Sequence, residues 1–253
     1  MQPPPISQAE IDSRISGHLD ELLELWWAEQ GASKPRDLDL IASALGFPRD
    51  QAVRVLDLCC GPGDVARAIW RQYPNARIDC VDRDPFLISI CAGVNQRDQV
   101  PGKIVVADLQ DDGWRDGLPG DYDAVATVNA LHWFDPPRME QLVRTIHALL
   151  RRGGVFIFAE PADPAGRFAA GFEAWKAAQP PRYSRENWER FWSRANALLG
   201  YDHPTLWGPR RASHIDDDMT VAGWTRLLQG AGFALTDVLL KDADQVIIAA
   251  LKP

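Results

Sequence analysis

From residue 52 onwards, apolar and polar positions along the chain form blocks that predict strands and helices in turn. Short runs rich in Val, Ile and Leu predict strands at 52–59, 76–82, 102–108, 122–129 and 153–160. Between them, apolar residues at helical spacing predict helices at about 64–73, 85–96 and 136–152. The continuous apolar run from Ala124 to Val128 is typical of a central strand covered on both faces. This order predicts an α/β fold with a mainly parallel sheet.

The segment before the first strand is predicted to be helical. Apolar residues from Ile11 to Trp26 follow helical spacing, and Ser7 with Glu10 three residues later is typical of an N-cap. We therefore expect one helix over residues 7–31, ending at a glycine, and a second, short helix at about 38–46.

Two segments depart from the alternation of strands and helices. Residues 162–219 contain helical patterns at about 169–179 and 185–199, which predict an insertion rather than further sheet. The chain ends in strand patterns at 234–240 and 245–251, joined by about four residues. A connection this short cannot cross over the sheet, so these two strands must be antiparallel.

Composition limits the classes of protein that fit. A chain of 253 residues and 28.2 kDa has room for one large domain with an accessory element. Its formal net charge of −8 argues against a nucleic-acid partner or an anionic membrane surface. Without an apolar leader or a span long enough for a bilayer, a cytoplasmic protein is expected.

The cysteine pattern predicts reduced thiols. Cys59, Cys60, Cys80 and Cys91 have no paired spacing of the kind that metal ligands show, so no metal site is expected.

The stretch VLDLCCGPGDVA, residues 55–66, predicts a strand, a glycine turn and a helix in immediate succession. It fits the dinucleotide fingerprint, so an NAD-linked oxidoreductase is one alternative. However, Pro62 removes a backbone donor, and Asp57 and Asp64 place carboxylates near the helix start, where a pyrophosphate would be repelled. The sulfonium and ammonium groups of S-adenosylmethionine suit that environment better.

The same stretch resembles the first motif of the class I, Rossmann-like S-adenosylmethionine-dependent methyltransferases, in particular their small-molecule branch. Asp57 matches the acidic position of the motif, Gly61 and Gly63 match its later glycines, and Cys59 stands where the family usually has glycine. The resemblance extends over about residues 52–161 and 220–253. It implies a doubly wound, seven-stranded sheet with an antiparallel C-terminal hairpin.

The resemblance also implies cofactor-binding residues at the ends of later strands. Asp82 would bind both ribose hydroxyls, with Arg83 beside it. Asp108 would accept a hydrogen bond from the adenine amino group, and Leu109 would offer its backbone N–H to the ring. Asn129 would lie near the methionine end.

The resemblance further implies three parts of the chain. Residues 1–50 would form an N-terminal helical lid, 51–161 and 220–253 the cofactor-binding core, and 162–219 a lid insertion over an acceptor pocket. Six of the ten tryptophans lie in the lid segments, and some are expected to face an organic acceptor: Trp26, Trp27, Trp175, Trp188, Trp192 and Trp207.

His132, in the loop after the fourth strand, is the best-placed candidate for a general base, although a structural role in the cofactor wall is favoured over a catalytic one. Side chains that could reach the acceptor from the insertion are His203, Tyr183, Tyr201 and His214. Arginines that could bind an acidic acceptor are Arg182, Arg185, Arg190, Arg194, Arg210 and Arg211, although nearby acidic residues balance them.

These observations predict a methyltransferase that uses S-adenosylmethionine and acts on a small-molecule acceptor. The alternatives are an enzyme of the same fold that uses the cofactor without methyl transfer, an NAD-linked oxidoreductase, and a non-catalytic cofactor-binding module. The sequence does not determine the acceptor or the oligomeric state.

Overall fold

The computed structural model describes residues 6–30, 34–179, 184–203 and 220–253. The strands of the sheet are β1 Arg54–Leu58, β2 Arg77–Asp82, β3 Ile104–Val106, β4 Tyr122–Val128, β5 Leu150–Pro161, β6 Leu235–Asp242 and β7 Gln245–Leu251. The helices in the described ranges are α1 Gln8–Ile15, α2 Leu19–Gln30, α3 Lys34–Ser43, α4 Asp64–Gln72, α5 Pro85–Asp98, α6 Pro136–Leu149, α7 Ala169–Ala177, α8 Arg185–Leu199 and α9 Val221–Gly230. None of them is long and apolar enough to span a bilayer.

The seven strands have the order β3-β2-β1-β4-β5-β7-β6. β1 to β5 are parallel, whereas β7 pairs antiparallel with both β5 and β6. The mainly parallel sheet and the antiparallel C-terminal hairpin are therefore confirmed. The strand order reverses beside β1, and ligands of open α/β sheets bind at the carboxyl ends of the strands near such a point.

The central strands are apolar throughout because both faces of the sheet are covered. Val55 and Leu56 are neighbours on β1 but belong to different apolar clusters, one on each face. On β4, Ala124 and Val125 divide in the same way. Successive side chains of a strand point to opposite faces, so only a continuous apolar run can fill both clusters.

The single N-terminal helix predicted from the sequence was wrong. Two helices, α1 and α2, are separated at residues 16–18, where the N–H of His18 donates to the carbonyl of Ile15. The break lets Ile15 and Leu22 enter the same buried cluster from two helices. Next along the chain, α3 begins at Lys34 rather than at 38, which its Pro35 permits because proline is tolerated in a first helical turn.

A third apolar cluster joins α1, α2 and α8 to α5. We refer to α1, α2 and α8 together as the helical layer. Its largest buried side chains include Phe191 and Trp192 of α8, which contact Phe86 of α5 at ring-centroid distances of 6.0 and 6.3 Å. The layer brings an N-terminal segment and part of the predicted insertion over the same side of the sheet.

Candidate active site

A cavity of about 540 Å³ lies at the carboxyl ends of β1 to β4, beneath α2 and α8. Its volume is in the range typical of small-molecule sites. Among the residues proposed from the sequence, those on its wall are Cys59, Gly61, Asp82, Arg83, Asp108, Leu109, Asn129 and His132. Asp57 and Gly63 do not line the cavity.

The two glycines of the turn between β1 and α4 have different surroundings. Both have left-handed backbone conformations, with φ of +52° at Gly61 and +85° at Gly63. Gly61 faces the cavity, where an added Cβ would meet only Trp26, at 3.6 Å. At Gly63 an added Cβ would lie 2.8 Å from the Cys91 sulfur. Gly61 therefore leaves room for a ligand, whereas Gly63 permits close internal packing.

Cys59 also has a left-handed backbone conformation, with φ of +52°. Glycine adopts this conformation without steric cost, which accounts for the glycine usual at this position in the family that the motif resembles. Burial, with the nearby negative charges of Asp82 and Glu160, raises the pKa of the Cys59 thiol well above its ordinary value. The cavity wall thus carries a neutral thiol at this position.

Asp57 lies beneath the turn, fully buried. One carboxyl oxygen accepts a hydrogen bond from the backbone N–H of Ala66 at 3.0 Å, which fixes the first turn of α4. The other, Oδ1, has no hydrogen-bond partner among the described residues. Burial raises the pKa of Asp57 well above its ordinary value. Burial therefore favours the neutral form of this carboxyl more than water does.

Asp64 lies on the cavity wall at the start of α4. Its carboxylate accepts a hydrogen bond from Trp26 Nε1 at 2.8 Å and forms a buried ion pair with Arg67. The two carboxylates expected to repel an anion at this helix start are thus partly offset, because burial raises the pKa of Asp57 and Arg67 pairs with Asp64. Charge repulsion alone does not discriminate between cofactors here.

Asp82, at the end of β2, organises the turn from the opposite side. Its two oxygens accept hydrogen bonds from the backbone N–H groups of Gly61 and Asp84, each at 2.9 Å. Burial raises the pKa of Asp82 to about 6. Each carboxylate oxygen has two lone pairs, so both can accept one more hydrogen bond from a ligand diol in the cavity.

The loop after β3 provides another part of the wall. Asp108 accepts a hydrogen bond from the Gln110 N–H at 2.9 Å and lies 3.9 Å from an Arg83 nitrogen. Arg138 of α6 donates to the carbonyls of Leu109 and Asp111 at 2.7 and 2.8 Å, which fixes the course of this loop. Sequence reasoning missed Arg138, because nothing in a helical arginine indicates the carbonyls it will bind.

Asn129 directly follows β4 on the cavity wall, with φ of +54°. Its backbone N–H donates to the carbonyl of Ala159, and its side-chain oxygen accepts from Gln245 Nε2 at 3.2 Å. The C-terminal hairpin therefore helps to orient a residue of the candidate site.

Glu160, near the end of β5, is a fully buried carboxylate that sequence reasoning did not single out. It accepts hydrogen bonds from the N–H groups of Ala130 and Leu131 at 2.8 and 2.7 Å, and its second oxygen lies 2.7 Å from His132 Nδ1. Burial by itself lowers the pKa of His132, but the charge and hydrogen bond of Glu160 outweigh it and raise the pKa overall. Glu160 thus holds both the backbone of the loop after β4 and the imidazole of His132 in position.

The tryptophans expected to face an acceptor have different positions. Trp26, Trp188 and Trp192 line the cavity, whereas Trp27 packs against the core and Trp175 is exposed. Trp207 lies outside the described residues. The helical layer therefore presents three of the predicted indoles to the cavity.

The remaining candidates within the described residues lie off the cavity wall. His203 is fully buried, with Nε2 2.8 Å from Asp84 Oδ1, and Tyr201 packs against the helical layer. Arg185 and Arg194 form ion pairs with Glu189 and Glu21, and Arg190 contacts Asn187. The candidates outside the described residues are Arg182, Tyr183, Arg210, Arg211 and His214.

The strand order and the cavity at the carboxyl edge define a Rossmann-like α/β fold. Residues 55–154 match the family model described as a methyltransferase domain. Trans-aconitate 2-methyltransferase from Streptomyces avermitilis is 31% identical over 125 residues, which are 49% of this chain and 45% of that protein. The enzyme of the same name from Mycobacterium tuberculosis is 33% identical over 111 residues, 43% of this chain and 37% of that protein. The matches thus span less than half the length of these curated relatives.

Solved structures show the same fold over most of the chain. A proposed O-methyltransferase from Nostoc punctiforme is similar with a TM-score of 0.59 and 21% identity, over 86% of this chain and 56% of that chain. Human N-acetylserotonin methyltransferase, solved with S-adenosylmethionine, is similar with a TM-score of 0.53 and 16% identity. The similarity covers 85% of this chain and 51% of that chain. The region 55–154 is thus similar to a methyltransferase domain, and these solved structures share the Rossmann-like fold of the chain.

Proposed function

We propose that this chain is an enzyme that transfers a methyl group from S-adenosylmethionine to a small organic acceptor. The observation that carries the proposal is the arrangement at the sheet edge. Gly61, Asp82 and Asp108 lie at the carboxyl ends of three neighbouring strands and line one cavity, within the segment that matches a methyltransferase domain.

The residues on the wall fit the cofactor in three parts. Asp108 and the backbone of Leu109 would hold the adenine, and Asp82 with Arg83 would hold the ribose. Cys59, Gly61 and Asn129 would border the methionine end. Asp57 and Gly63 would not contact the cofactor; they would stabilise the conformation of the turn that does. When bound, S-adenosylmethionine supplies a methyl group already activated for displacement, so the protein contributes positioning and exclusion of water.

The acceptor would contact the indoles of the helical layer. Trp26, Trp188 and Trp192 face the cavity from above, and Trp133 lies beside His132 on its wall. Indole faces favour planar or apolar organic molecules. The relatives named for trans-aconitate suggest a small organic acid as the acceptor. The ammonium group of Lys34, on the same wall, would attract the carboxylate of such an acid.

His132 would act as a base where the acceptor is a hydroxyl, since a hydroxyl keeps its proton at neutral pH. Glu160 holds the imidazole through Nδ1 and raises its pKa, so the neutral, proton-accepting form predominates only above that pKa. The rate with a hydroxyl acceptor should therefore rise with pH, and His132→Gln should lower kcat more than KM. A carboxylate acceptor needs no base, and then His132→Gln should leave the pH profile unchanged.

Cofactor binding is tested by calorimetric titration with S-adenosylmethionine, S-adenosylhomocysteine and NADH. We expect the first two to bind, and Asp82→Ala to weaken them about 100-fold through loss of charge-assisted hydrogen bonds. The matched control is Asp39→Ala, which removes an exposed carboxylate of α3 and should leave the affinity unchanged. Binding of NADH alone would support the oxidoreductase alternative instead.

Methyl transfer itself is tested with cofactor labelled in the methyl group and a panel of small acids and phenols. Label in the acceptor supports the proposal. Consumption of the cofactor with no labelled acceptor would support an enzyme of the same fold with different chemistry.

A further inference from the structure

Three cysteines meet behind the glycine turn, although they are far apart in the sequence. Cys60 follows β1, Cys80 lies within β2, and Cys91 lies on α5. All three are buried, and their sulfur atoms lie within 4.8 Å of one another. The intervals of 20 and 11 residues match no metal-binding motif, so only the fold reveals this cluster.

The spacing of the three sulfurs is compatible with a common ligand. Thiolates at about 2.3 Å from one central ion, in a plane, lie about 4 Å apart. The observed separations of up to 4.8 Å therefore need only small side-chain adjustments. Within the described ranges, no histidine, aspartate or glutamate joins this group at the same spacing. The ligand set is three sulfurs.

A set of three thiolates selects soft ions. Structural zinc sites take four protein ligands, which this cluster does not offer. Cu(I) is a soft ion that thiolate ligands select, and it is stable with three of them. Calcium and magnesium prefer oxygen ligands and are excluded by the same reasoning.

The surroundings of the cluster give an ion both access and support. Cys60 lies on the wall of the cavity, so the cluster can be reached from there. The Cys91 sulfur and an Arg67 nitrogen both border the position where Gly63 lacks a side chain, at 2.8 and 3.5 Å from an added Cβ. The guanidinium, which also pairs with Asp64, thus lies on the same side of the turn as the cluster.

We propose that Cys60, Cys80 and Cys91 form a binding site for one Cu(I) ion with three sulfur ligands. Binding displaces the thiol protons to solvent and involves no change in oxidation state. The site lies behind the cofactor turn and does not depend on the function proposed above.

The test is anaerobic titration of the fully reduced protein with Cu(I) held by bathocuproine disulfonate, a chelator whose colour reports transfer of the ion. We expect one equivalent to move to the protein. Cys60→Ala, Cys80→Ala and Cys91→Ala should each weaken binding at least about 10-fold, as expected for loss of one metal ligand. The matched control is Cys59→Ala, which removes the neighbouring thiol outside the cluster and should retain the ion.

Copper K-edge absorption on the wild-type protein provides a measurement that does not depend on how well the variants fold. We expect sulfur scatterers at about 2.3 Å and no nitrogen or oxygen ligands. A wild-type protein that takes no Cu(I) from the chelator would overturn the proposal. So would an ion that remains equally well bound in folded cluster variants, or one with nitrogen or oxygen ligands.

Discussion

The carboxyl edge of the sheet and the helical layer are built by different interactions. At the edge, backbone N–H groups donate to Asp57, Asp82 and Glu160, and the turn depends on left-handed backbone conformations. In the helical layer, aromatic rings pack edge to face, as between Trp26 and Phe191 at 5.2 Å. The edge is therefore fixed by local chain geometry, whereas the layer is fixed by side-chain packing.

This difference has a functional meaning. Backbone geometry and short carboxylates tolerate few substitutions, which in the proposed enzyme would suit the part that binds the cofactor. Packed side chains can be exchanged when volume is conserved, which suits a part that adapts to different acceptors. We therefore expect substitutions at the edge to act on stability and cofactor binding together, and substitutions in the layer to act mainly on the acceptor and on local stability.

The largest effect is expected from Gly63→Ala. An alanine there must adopt φ near +85°, and its Cβ would lie 2.8 Å from the Cys91 sulfur. Strain and overpacking should lower the free energy of unfolding by about 2–4 kcal/mol. Urea denaturation measures this loss, and titration with S-adenosylhomocysteine should show weakened binding in the fraction that remains folded.

Gly171→Ala is the matched control, because an added Cβ on α7 meets no atom within 4 Å. It should leave stability unchanged or slightly increased, since alanine favours helix more than glycine does. Equal losses in the two variants would contradict the distinction between the edge and the rest of the chain.

A smaller effect is expected from His203→Gln, which removes the buried ion pair with Asp84. Asp84 caps α5 by accepting from the N–H groups of Phe86 and Leu87, so it keeps partners when the imidazole is lost. We expect a loss of about 1–2 kcal/mol at pH 6, measured by urea denaturation. Cofactor affinity should change less than in Gly63→Ala.

The same substitution should change the dependence of stability on pH. Burial by itself lowers the pKa of His203, but the hydrogen bond and charge of Asp84 raise it overall. The stabilisation is therefore fully present below the ordinary histidine pKa of about 6.5 and is lost as pH rises through the folded pKa.

Other groups must be separated from this effect. Tyr201 and Asp202 are titratable neighbours in the described chain, and His132 has a raised pKa with the same sign. Stability curves from pH 5.5 to 8.5 should fall less steeply in His203→Gln than in the wild type, with His132→Gln as the comparison. If stability fell equally steeply with pH in the wild type and in His203→Gln, the pH dependence could not be assigned to His203.

The smallest effect is expected from Arg185→Ala on α8. The arginine side chain is 91% exposed, and its ion pair with Glu189 faces solvent. Loss of such a pair should change stability by less than about 0.5 kcal/mol. The KM for the acceptor should also stay constant, because Arg185 does not line the cavity, and a rise in KM would return this arginine to the candidate site.

The sheet was predictable from the sequence because its signals are local. Continuous apolar strands, glycine turns and a short C-terminal connection each restrict the chain within a few residues, and together they predicted the parallel sheet and the terminal hairpin. The acid at the end of β2 could be placed at the sheet edge for the same reason, since parallel strands end on one side.

Contacts between distant segments were not predictable in this way. Glu160 meets His132 only because β5 pairs with β4. The division between α1 and α2 was missed because both helices have the same apolar period, and packing in three dimensions decides where the chain turns. The three clustered cysteines were missed for the same reason.

The position of Trp26 has a consequence for the order of events during turnover. Trp26 lies on α2, and its indole N–H donates to the Asp64 carboxylate at 2.8 Å. The indole ring would lie 3.6 Å from a Cβ added at Gly61, so it covers this glycine on the cavity side. In the proposed enzyme, the cofactor would occupy the deeper part of the cavity and the acceptor would bind above it, against this ring. Steady-state kinetics should therefore follow a compulsory order, with the cofactor first on and its product last off.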